Sequence, residues 1–220
     1  MKKTIGMFAH VDAGKTTLAE QLLYHTKTIR QRGRVDHQDT FLDTHDIEKQ
    51  RGITVFADQA VFSYNESTYF MIDTPGHVDF SPEMERAIQV MDYAIVIISA
   101  VEGIEGHTET VWNLLQKHHV PTFFFINKVD RVGADSARVL DEIRNNLTTD
   151  VVDITETLMD GQMDDELIEF IAERDESLLE IYMESGYQPI LWVETMRKLV
   201  KVNQLFPCVI GSALQDIGVD

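Results

Sequence analysis

The octapeptide Ala-His-Val-Asp-Ala-Gly-Lys-Thr at residues 9–16 constrains the fold more than any other part of this 220-residue chain. A short apolar run at 4–8 precedes it and predicts a strand, and the apolar residues after Gly14 recur at helical spacing. A loop between a strand and a helix can wrap its backbone N–H groups around a phosphate, with the helix N-terminus behind them. The generic pattern begins with glycine, and this chain has Ala9 there, so the loop alone is compatible with ATP or GTP.

Apolar runs alternate with helix-like patterns through most of the sequence. Runs typical of buried strands lie at 4–8, 54–64, 68–73, 94–99, 121–126 and 206–211. Residues 65–67 would join two of these strands in a hairpin, and helical spacing recurs at 82–91, 108–117 and 136–147. Strands rich in isoleucine, valine and phenylalanine that alternate with helices indicate a mostly parallel sheet covered on both faces. We therefore predict an α/β fold of the P-loop NTPase type, with a doubly wound, mostly parallel sheet.

Residues 150–205 break this alternation. They are rich in acidic side chains, and helical spacing covers 164–184 and 192–200. We predict that they form a small helical insertion before the last strand, whereas residues 1–149 and 206–220 form the nucleotide-binding domain. A further pair of amphipathic helices in the main domain is the alternative. The acidic side chains would form either a solvated face or a surface for a partner.

The loop after the first strand supplies the candidates for phosphate binding. Gly14 lets the backbone come close to a phosphate, Lys15 can reach the β- and γ-phosphate oxygens, and the Thr16 hydroxyl can ligate Mg²⁺. Lys15 is also a catalytic candidate, because it can stabilise charge on the transferred phosphoryl group. The nucleotide-binding candidates in this loop are His10, Val11, Asp12, Ala13, Gly14, Lys15, Thr16 and Thr17.

The segment Asp73-Thr-Pro-Gly-His77 closes another predicted strand. The Asp73 carboxylate can support Mg²⁺, and the Gly76 N–H can contact a γ-phosphate because no side chain blocks it. His77 can orient the attacking water, since phosphoryl transfer depends on positioning more than on strong base catalysis. A solvent-exposed histidine without a catalytic part is the alternative for His77.

Thr54 ends the motif Arg51-Gly-Ile-Thr54, which follows a polar, loop-like stretch at 27–52. A threonine there can ligate Mg²⁺ only while that loop folds over the triphosphate, so loss of the γ-phosphate would release it. The sequence thus predicts a mechanical switch. The alternative is that Thr54 only begins the next strand, where β-branched residues are common.

Two later motifs predict which base is bound. In Asn127-Lys-Val-Asp130, the carboxylate of Asp130 can accept the N1–H and the exocyclic amino group of guanine, and adenine offers neither donor. The Lys128 stem can lie along the base plane, and Asn127 would brace the loop. The second motif adds the nucleotide-binding candidates Ser212, Ala213 and Leu214, and the first two can offer backbone contacts to the guanine oxygen. We therefore predict a domain that binds GTP, GDP and Mg²⁺.

Bulk properties limit the partners and the compartment. The formal net charge is −18, so the surface should not hold nucleic acid by charge neutralisation alone, and we expect no direct sequence-specific nucleic-acid binding. Cys208 is the one cysteine, which fits a reducing compartment, and its place in an apolar run predicts a small core residue. No signal peptide is recognisable, and the apolar stretch at 93–101 is too short to cross a bilayer. We expect a cytoplasmic protein with no membrane contact, monomeric as an isolated domain.

Together the motifs resemble those of translational GTPases, specifically the elongation factor G group. The resemblance covers essentially the whole chain and includes Ala9, which is usual in this group. The length between Asp130 and Gly211, and the run at 175–183, resemble the tetracycline-resistance ribosomal protection proteins. The motifs that carry the match are Ala9-His-Val-Asp-Ala-Gly-Lys-Thr-Thr17, Arg51-Gly-Ile-Thr54, Asp73-Thr-Pro-Gly-His-Val-Asp-Phe80, Asn127-Lys-Val-Asp-Arg131 and Gly211-Ser-Ala213.

The resemblance implies a ribosome-stimulated GTPase in which the ribosome is the partner of the full-length protein. It implies that Asp12 helps to bind a monovalent cation or to order the catalytic site, and that Val11 and Ile53 form an apolar gate that holds His77 back. The catalytic candidates are His77, Lys15, Asp12 and Gly76; the metal candidates are Thr16, Thr54 and Asp73. It also implies further domains after the end of the chain. Two alternatives stay open: an elongation factor G-like translocase, and a GTP-switched binding module with negligible turnover.

Overall fold

A computed structural model describes residues 1–31, 33, 58–74 and 81–219 of the chain. The strands in these ranges are β1 (Lys2–Ala9), β2 (Asp58–Tyr64), β3 (Ser67–Asp73), β4 (Tyr93–Ser99), β5 (Thr122–Asn127), β6 (Val151–Asp153) and β7 (Phe206–Ile210). The helices are α1 (Lys15–His25), α2 (Ser81–Ile88), α3 (Gly106–Lys117), α4 (Ser136–Asn146), α5 (Thr155–Asp160), α6 (Asp165–Ala172), α7 (Glu176–Ser185) and α8 (Pro189–Lys201). Among the described helices, none is long and apolar enough to cross a membrane.

The strands form one seven-stranded sheet in the order β2-β3-β1-β4-β5-β7-β6. Within the described residues, β2 and β3 are the one antiparallel pair, and the other neighbours are parallel. The predicted hairpin is thus confirmed for its described part. Its turn at Asn65 and Glu66 has positive φ angles of 44° and 60°, as two-residue hairpin turns require.

The side chains of the central strands alternate between two apolar cores. Phe8, Phe124 and Ile98 face the core that α2, α3 and α4 cover, where Trp112 packs on Phe124 with ring centroids 5.5 Å apart. Met7, Ile97 and Phe125 face the other side, where α1 contributes Leu18 and Leu23. Helices on both faces of a mostly parallel sheet confirm the predicted doubly wound α/β fold.

Cys208 is fully buried in β7, as the sequence predicted. Burial in apolar surroundings raises the pKa of its thiol well above the usual range. The thiol therefore stays protonated and serves as a small core side chain rather than as a nucleophile.

The predicted helix at 164–184 is wrong in one respect, because it is two helices. α6 ends at Ala172 and α7 begins at Glu176. Asp175 has an extended backbone, with φ −137°, and its carboxylate accepts a hydrogen bond from the Leu178 N–H at 3.1 Å. Hydrogen bonds from the Ser177 hydroxyl and the Leu178 N–H lower the pKa of Asp175. This N-cap starts a new helix where apolar spacing alone indicated continuity.

The segment 150–205 also contains two elements that sequence patterns did not predict, β6 and α5. β6 extends the main sheet at its edge, with Val151 opposite Phe206 and Asp153 opposite Cys208. The helices after it enclose a third core around Trp192, whose side chain is fully buried and whose indole N–H donates to the Ile168 carbonyl at 2.9 Å. A three-residue strand is too short to show alternation in a sequence.

Candidate nucleotide site

The candidate residues gather at one edge of the sheet. The motifs at 9–17, 127–131 and 211–214 lie at the ends of β1, β5 and β7 and in the segments after them, and Asp73 ends β3. Because β3, β1, β4, β5 and β7 are consecutive parallel neighbours, their carboxyl ends lie along the same edge. In open α/β sheets, this edge is where ligands bind.

The loop after β1 has the backbone shape that a phosphate cradle needs. Asp12 and Gly14 have left-handed φ angles of 63° and 100°, and the Ala13 N–H donates to the His10 carbonyl at 3.1 Å. A Cβ at Gly14 would overlap the side-chain amide of Asn127, so the position requires glycine for space as well as for φ.

α1 begins directly behind this loop. Gly14 is its N-cap, and the first bond of the helix runs from the Leu18 N–H to the Gly14 carbonyl at 3.0 Å. The N–H groups of Lys15, Thr16 and Thr17 therefore precede the intrahelical ladder. They point out of the helix N-terminus, where an anion is favoured.

Lys15 and Asp73 form a buried ion pair between the ammonium and one carboxylate oxygen. Their side chains are 8% and 1% exposed. Met7 of β1 lies opposite Asp73 of β3, which brings the carboxylate beside the phosphate loop. The next residue, Thr74, is anchored by its hydroxyl to the Met7 carbonyl at 2.6 Å. A cation and a carboxylate at this point suit a metal–phosphate ligand, because each can exchange its partner for the ligand charge of opposite sign.

Asn127 connects the three loops. Its Nδ2 donates to the Ala13 carbonyl at 2.8 Å, and its Oδ1 accepts from the Ala213 N–H at 2.9 Å. The side chain is 3% exposed, so both bonds are shielded from water. Asn127 therefore braces the phosphate loop against the loop after β7, which is more than the sequence predicted for it.

Asp130 is held on one side. The Ser212 hydroxyl donates to its Oδ1 at 2.5 Å, and Arg131 Nε lies 4.0 Å from its Oδ2. The Asp130 side chain remains 20% exposed. Its carboxylate is thus oriented and still accessible, which a carboxylate that reads two base donors must be.

Lys128 has a left-handed φ of 69° and directs its ammonium to Glu102, with Nζ 3.4 Å from Oε2. A hydrogen bond from Ser99, followed by the charge of Lys128, lowers the pKa of Glu102 below its usual value. The ion pair restrains the ammonium end of the Lys128 side chain. Sequence reasoning missed Glu102, because no motif includes it.

The predicted backbone contacts at Ser212 and Ala213 need a refinement. The Ser212 N–H donates to the Ile217 carbonyl at 3.0 Å and the Ala213 N–H to Asn127 Oδ1, so both are engaged within the protein. A guanine oxygen would have to share these donors. The Leu214 N–H donates no hydrogen bond to any of the described residues, so it is the third candidate donor of this loop.

The other sequence candidates divide into two groups. His10 and Val11 line a small cleft with Ser99 and Glu105, and a ring nitrogen of His10 contacts the Glu105 carboxylate. Asp12 is exposed at the tip of the loop. The remaining candidates, Thr54, Gly76 and His77, together with Ile53, lie outside the described residues.

Comparisons with known proteins show which proteins this chain is similar to. Residues 2–220 match the family described as "Elongation factor Tu GTP binding domain". The chain is 37% identical over 238 residues to tetracycline resistance protein TetP of Clostridium perfringens, a match that covers 100% of this chain and 36% of that protein. It is 38% identical over 223 residues to tetracycline resistance protein TetM of Staphylococcus aureus strain Mu50, covering 98% of this chain and 35% of that protein.

Elongation factor G 2 of Syntrophomonas wolfei is 35% identical over 257 residues, which cover 99% of this chain and 37% of that protein. A crystal structure of a protein from Thermus thermophilus superimposes with a TM-score of 0.88 at 26% identity, and the match covers 99% of this chain and 38% of that chain. This chain therefore spans little more than a third of the length of the relatives it matches.

Proposed function

Because this chain belongs to the family of elongation factor Tu GTP binding domains, a family of GTPases, we propose that it is the GTP-hydrolysing switch of a ribosome-associated factor of the tetracycline-resistance protection type. The observation that supports the GTPase assignment is the position of Asn127 in the first guanine motif. Its side chain forms hydrogen bonds both to the phosphate loop and to the second guanine motif. In this proposal, residues 1–149 and 206–220 form the GTP-binding domain, and residues 150–205 form its acidic insertion.

The phosphate loop holds the triphosphate while water attacks the γ-phosphate. The N–H groups at the start of α1 and the Lys15 ammonium stabilise charge on the phosphoryl oxygens. Lys15 turns from Asp73 to the phosphate as the nucleotide binds, and Asp73 becomes available to the metal. Mg²⁺, held by Thr16, Thr54 and Asp73, would neutralise charge on the phosphate oxygens.

Two residues beyond the described ranges complete the catalytic set. The Gly76 N–H contacts the γ-phosphate and thereby senses its presence. His77 orients the attacking water, and Val11 and Ile53 hold it back until the ribosome rearranges the site. Asp12 orders the loop near the phosphates or binds a monovalent cation there.

Guanine is selected at the carboxyl ends of β5 and β7. Asp130 accepts the N1–H and the amino group of the base, and Ser212 keeps its carboxylate in the required orientation. Lys128 covers the base with its methylene stem while Glu102 holds its ammonium.

The proposed ribosomal role is supported by the similarity of this chain to its relatives. TetP and TetM are both named tetracycline resistance proteins, and each matches nearly the whole of this chain. A factor of this kind acts in the cytoplasm, where ribosomes are. The match to elongation factor G 2 favours a translocase as the second candidate. A GTP-dependent binding module that hardly turns over GTP is the third, and the ribosome dependence of turnover separates it from the other two.

His77→Ala in the full-length protein is expected to abolish ribosome-stimulated turnover while GTP binding stays intact. Loss of an oriented nucleophile costs at least about 100-fold in rate, because misplacing a reacting group by 1 Å has an effect of that order. Multiple-turnover GTP hydrolysis with and without ribosomes measures this. His119→Asn is the control, because His119 is exposed at the end of α3 and asparagine tolerates its φ of 52°. Unchanged stimulated turnover in His77→Ala would show that the assigned role is wrong, and no stimulation of the unmodified protein would favour the binding module.

A further inference from the structure

Two side chains of α1 form hydrogen bonds to the loop after β7. Gln21 is 3% exposed, and its Nε2 donates to the Ala213 carbonyl at 2.7 Å. One turn further along the same helix, His25 Nε2 lies 2.6 Å from Asp216 Oδ1. Residues four apart lie on the same face of a helix, so both contacts come from one side of α1. Neither residue belongs to a motif that the sequence singled out.

The loop that they hold is a compact unit. Ser212 and Ile217 exchange two backbone hydrogen bonds of 3.0 Å each, which close the segment between them. At Gly211, a Cβ would overlap the Ile217 carbonyl, so the two ends of the loop are packed together. Because this closed loop is bonded to α1 at both Ala213 and Asp216, its position and its orientation relative to α1 are fixed.

Gln21 fixes one peptide unit in particular. The carbonyl of Ala213 and the N–H of Leu214 belong to the same peptide, and in a planar trans peptide they point in opposite directions. Because Gln21 holds the carbonyl toward α1, the Leu214 N–H points away from α1. Asn127 holds the preceding peptide through the Ala213 N–H. Gln21 and Asn127 thus fix the two peptides on either side of Ala213.

These contacts also link the phosphate loop, the loop after β7 and α1 to one another. The Ala13 carbonyl accepts a hydrogen bond from the Asn127 side chain, and Asn127 in turn accepts one from the Ala213 N–H. The Ala213 carbonyl accepts a hydrogen bond from Gln21, which belongs to the helix that begins after Gly14. The phosphate loop and the loop after β7 are therefore joined by two independent routes, and one of them is α1 itself.

We propose that Gln21, with His25 as its second anchor, is a positioning residue for base recognition: it aims the Leu214 N–H at the 6-oxygen of guanine. This rests on the proposed guanine specificity. The ligand class is a nucleoside diphosphate or triphosphate with a 6-oxo purine. The contribution is to the base and not to the phosphates, because Gln21 contacts the loop after β7 and lies two helical turns from the phosphate end of α1.

The test compares GDP with the diphosphate of 2-aminopurine riboside, which has the same phosphates and amino group but lacks both the 6-oxygen and the N1–H, and the change in each variant is measured relative to the unmodified chain. We expect Gln21→Met to lower the ratio of the two affinities about tenfold, the effect of losing one buried hydrogen bond, while the affinity for the analogue stays as in the unmodified chain. Gln116→Met on α3 is the matched control, because Gln116 is a half-buried helical glutamine and α3 covers the opposite face of the sheet from α1. A merely structural role would weaken both ligands equally, and that result, or an unchanged ratio, would overturn the proposal.

His25→Ala provides the second variant and decides the question if Gln21→Met fails to fold. His25 and Asp216 are partly exposed, at 30% and 26%, so the fold tolerates the change. The affinity ratio should fall about threefold, as the loss of a partly exposed hydrogen bond allows, and an unchanged ratio would again overturn the proposal. An unmodified chain that binds GDP and the analogue equally would refute the guanine specificity itself, which is a separate and recognisable outcome.

Discussion

Asp130→Asn is expected to change the base preference of this chain from guanine to xanthine. The carboxylate accepts two hydrogen bonds from guanine, whereas an asparagine amide offers one acceptor and one donor. Xanthine carries an oxygen in place of the amino group and so matches the amide. GDP affinity should fall at least about 100-fold, because hydrogen bonds to a charged group are worth ~1.5–3 kcal/mol each. Competition of GDP and xanthosine diphosphate for a fluorescent nucleotide measures the change.

The surroundings of Asp130 favour a clean result. Ser212 donates to Asp130 Oδ1, and an asparagine oxygen can accept the same bond, which leaves the new NH₂ group facing the second position. Asp141→Asn is the matched control, because Asp141 lies on the exposed face of α4 with 67% of its side chain accessible. If Asp130→Asn still preferred GDP, the assignment of Asp130 to the base would be wrong.

Lys15→Met is expected to weaken GTP binding by about 10- to 100-fold, since one charge-assisted contact to phosphate contributes ~1.5–3 kcal/mol. Methionine has a similar length and keeps the apolar packing of the stem. The change also removes one partner of a buried carboxylate, because Lys15 pairs with Asp73. Loss of one member of a buried ion pair costs on the order of 3–5 kcal/mol of unfolding free energy. Titration with GTP and chemical denaturation measure the two effects separately.

The double variant Lys15→Met/Asp73→Asn separates ligand binding from stability. Asp73→Asn removes the buried charge that has lost its Lys15 partner, so the unfolding free energy should recover in large part. GTP affinity should not recover, because the ammonium is still missing and a metal ligand has been weakened as well. A stable double variant that bound GTP like the unmodified chain would exclude Lys15 from phosphate binding.

The sequence could predict that the described loops of the candidate site lie together, because each motif stands at the end of a strand. Parallel strands bring their carboxyl ends to one edge, so Gly14, Asp73, Asn127 and Ala213 could be expected to meet there. It did not predict Gln21, His25 or Glu102. Their partners are a backbone carbonyl or a side chain far away in the chain, and such contacts leave no local pattern. The roles of all the candidate site residues remain predictions, and Thr54, Gly76 and His77 also lie outside the described ranges.

Prediction of the fold succeeded where the apolar periodicity extends over a long segment, and it failed where the periodicity is short or interrupted. β4 and β5 are near-continuous apolar runs, and both form central strands as expected. β6 has only three residues, and its pairing with β7 depends on tertiary contacts. The break before α7 depends on the Asp175 cap, because apolar spacing at Ile171 and Leu178 continues across it. Local side-chain-to-backbone hydrogen bonds can end a helix that the apolar pattern would extend.

Guanine selection by the loops after β5 and β7 is the central proposal, and equilibrium binding of Mg²⁺·GDP and Mg²⁺·ADP to the unmodified chain tests it most directly. Isothermal titration should give GDP an affinity at least about 1,000-fold higher than that of ADP, because adenine leaves the Asp130 carboxylate without its two donors. Equal affinities for the two nucleotides would contradict the assignment of the loops after β5 and β7 to the base.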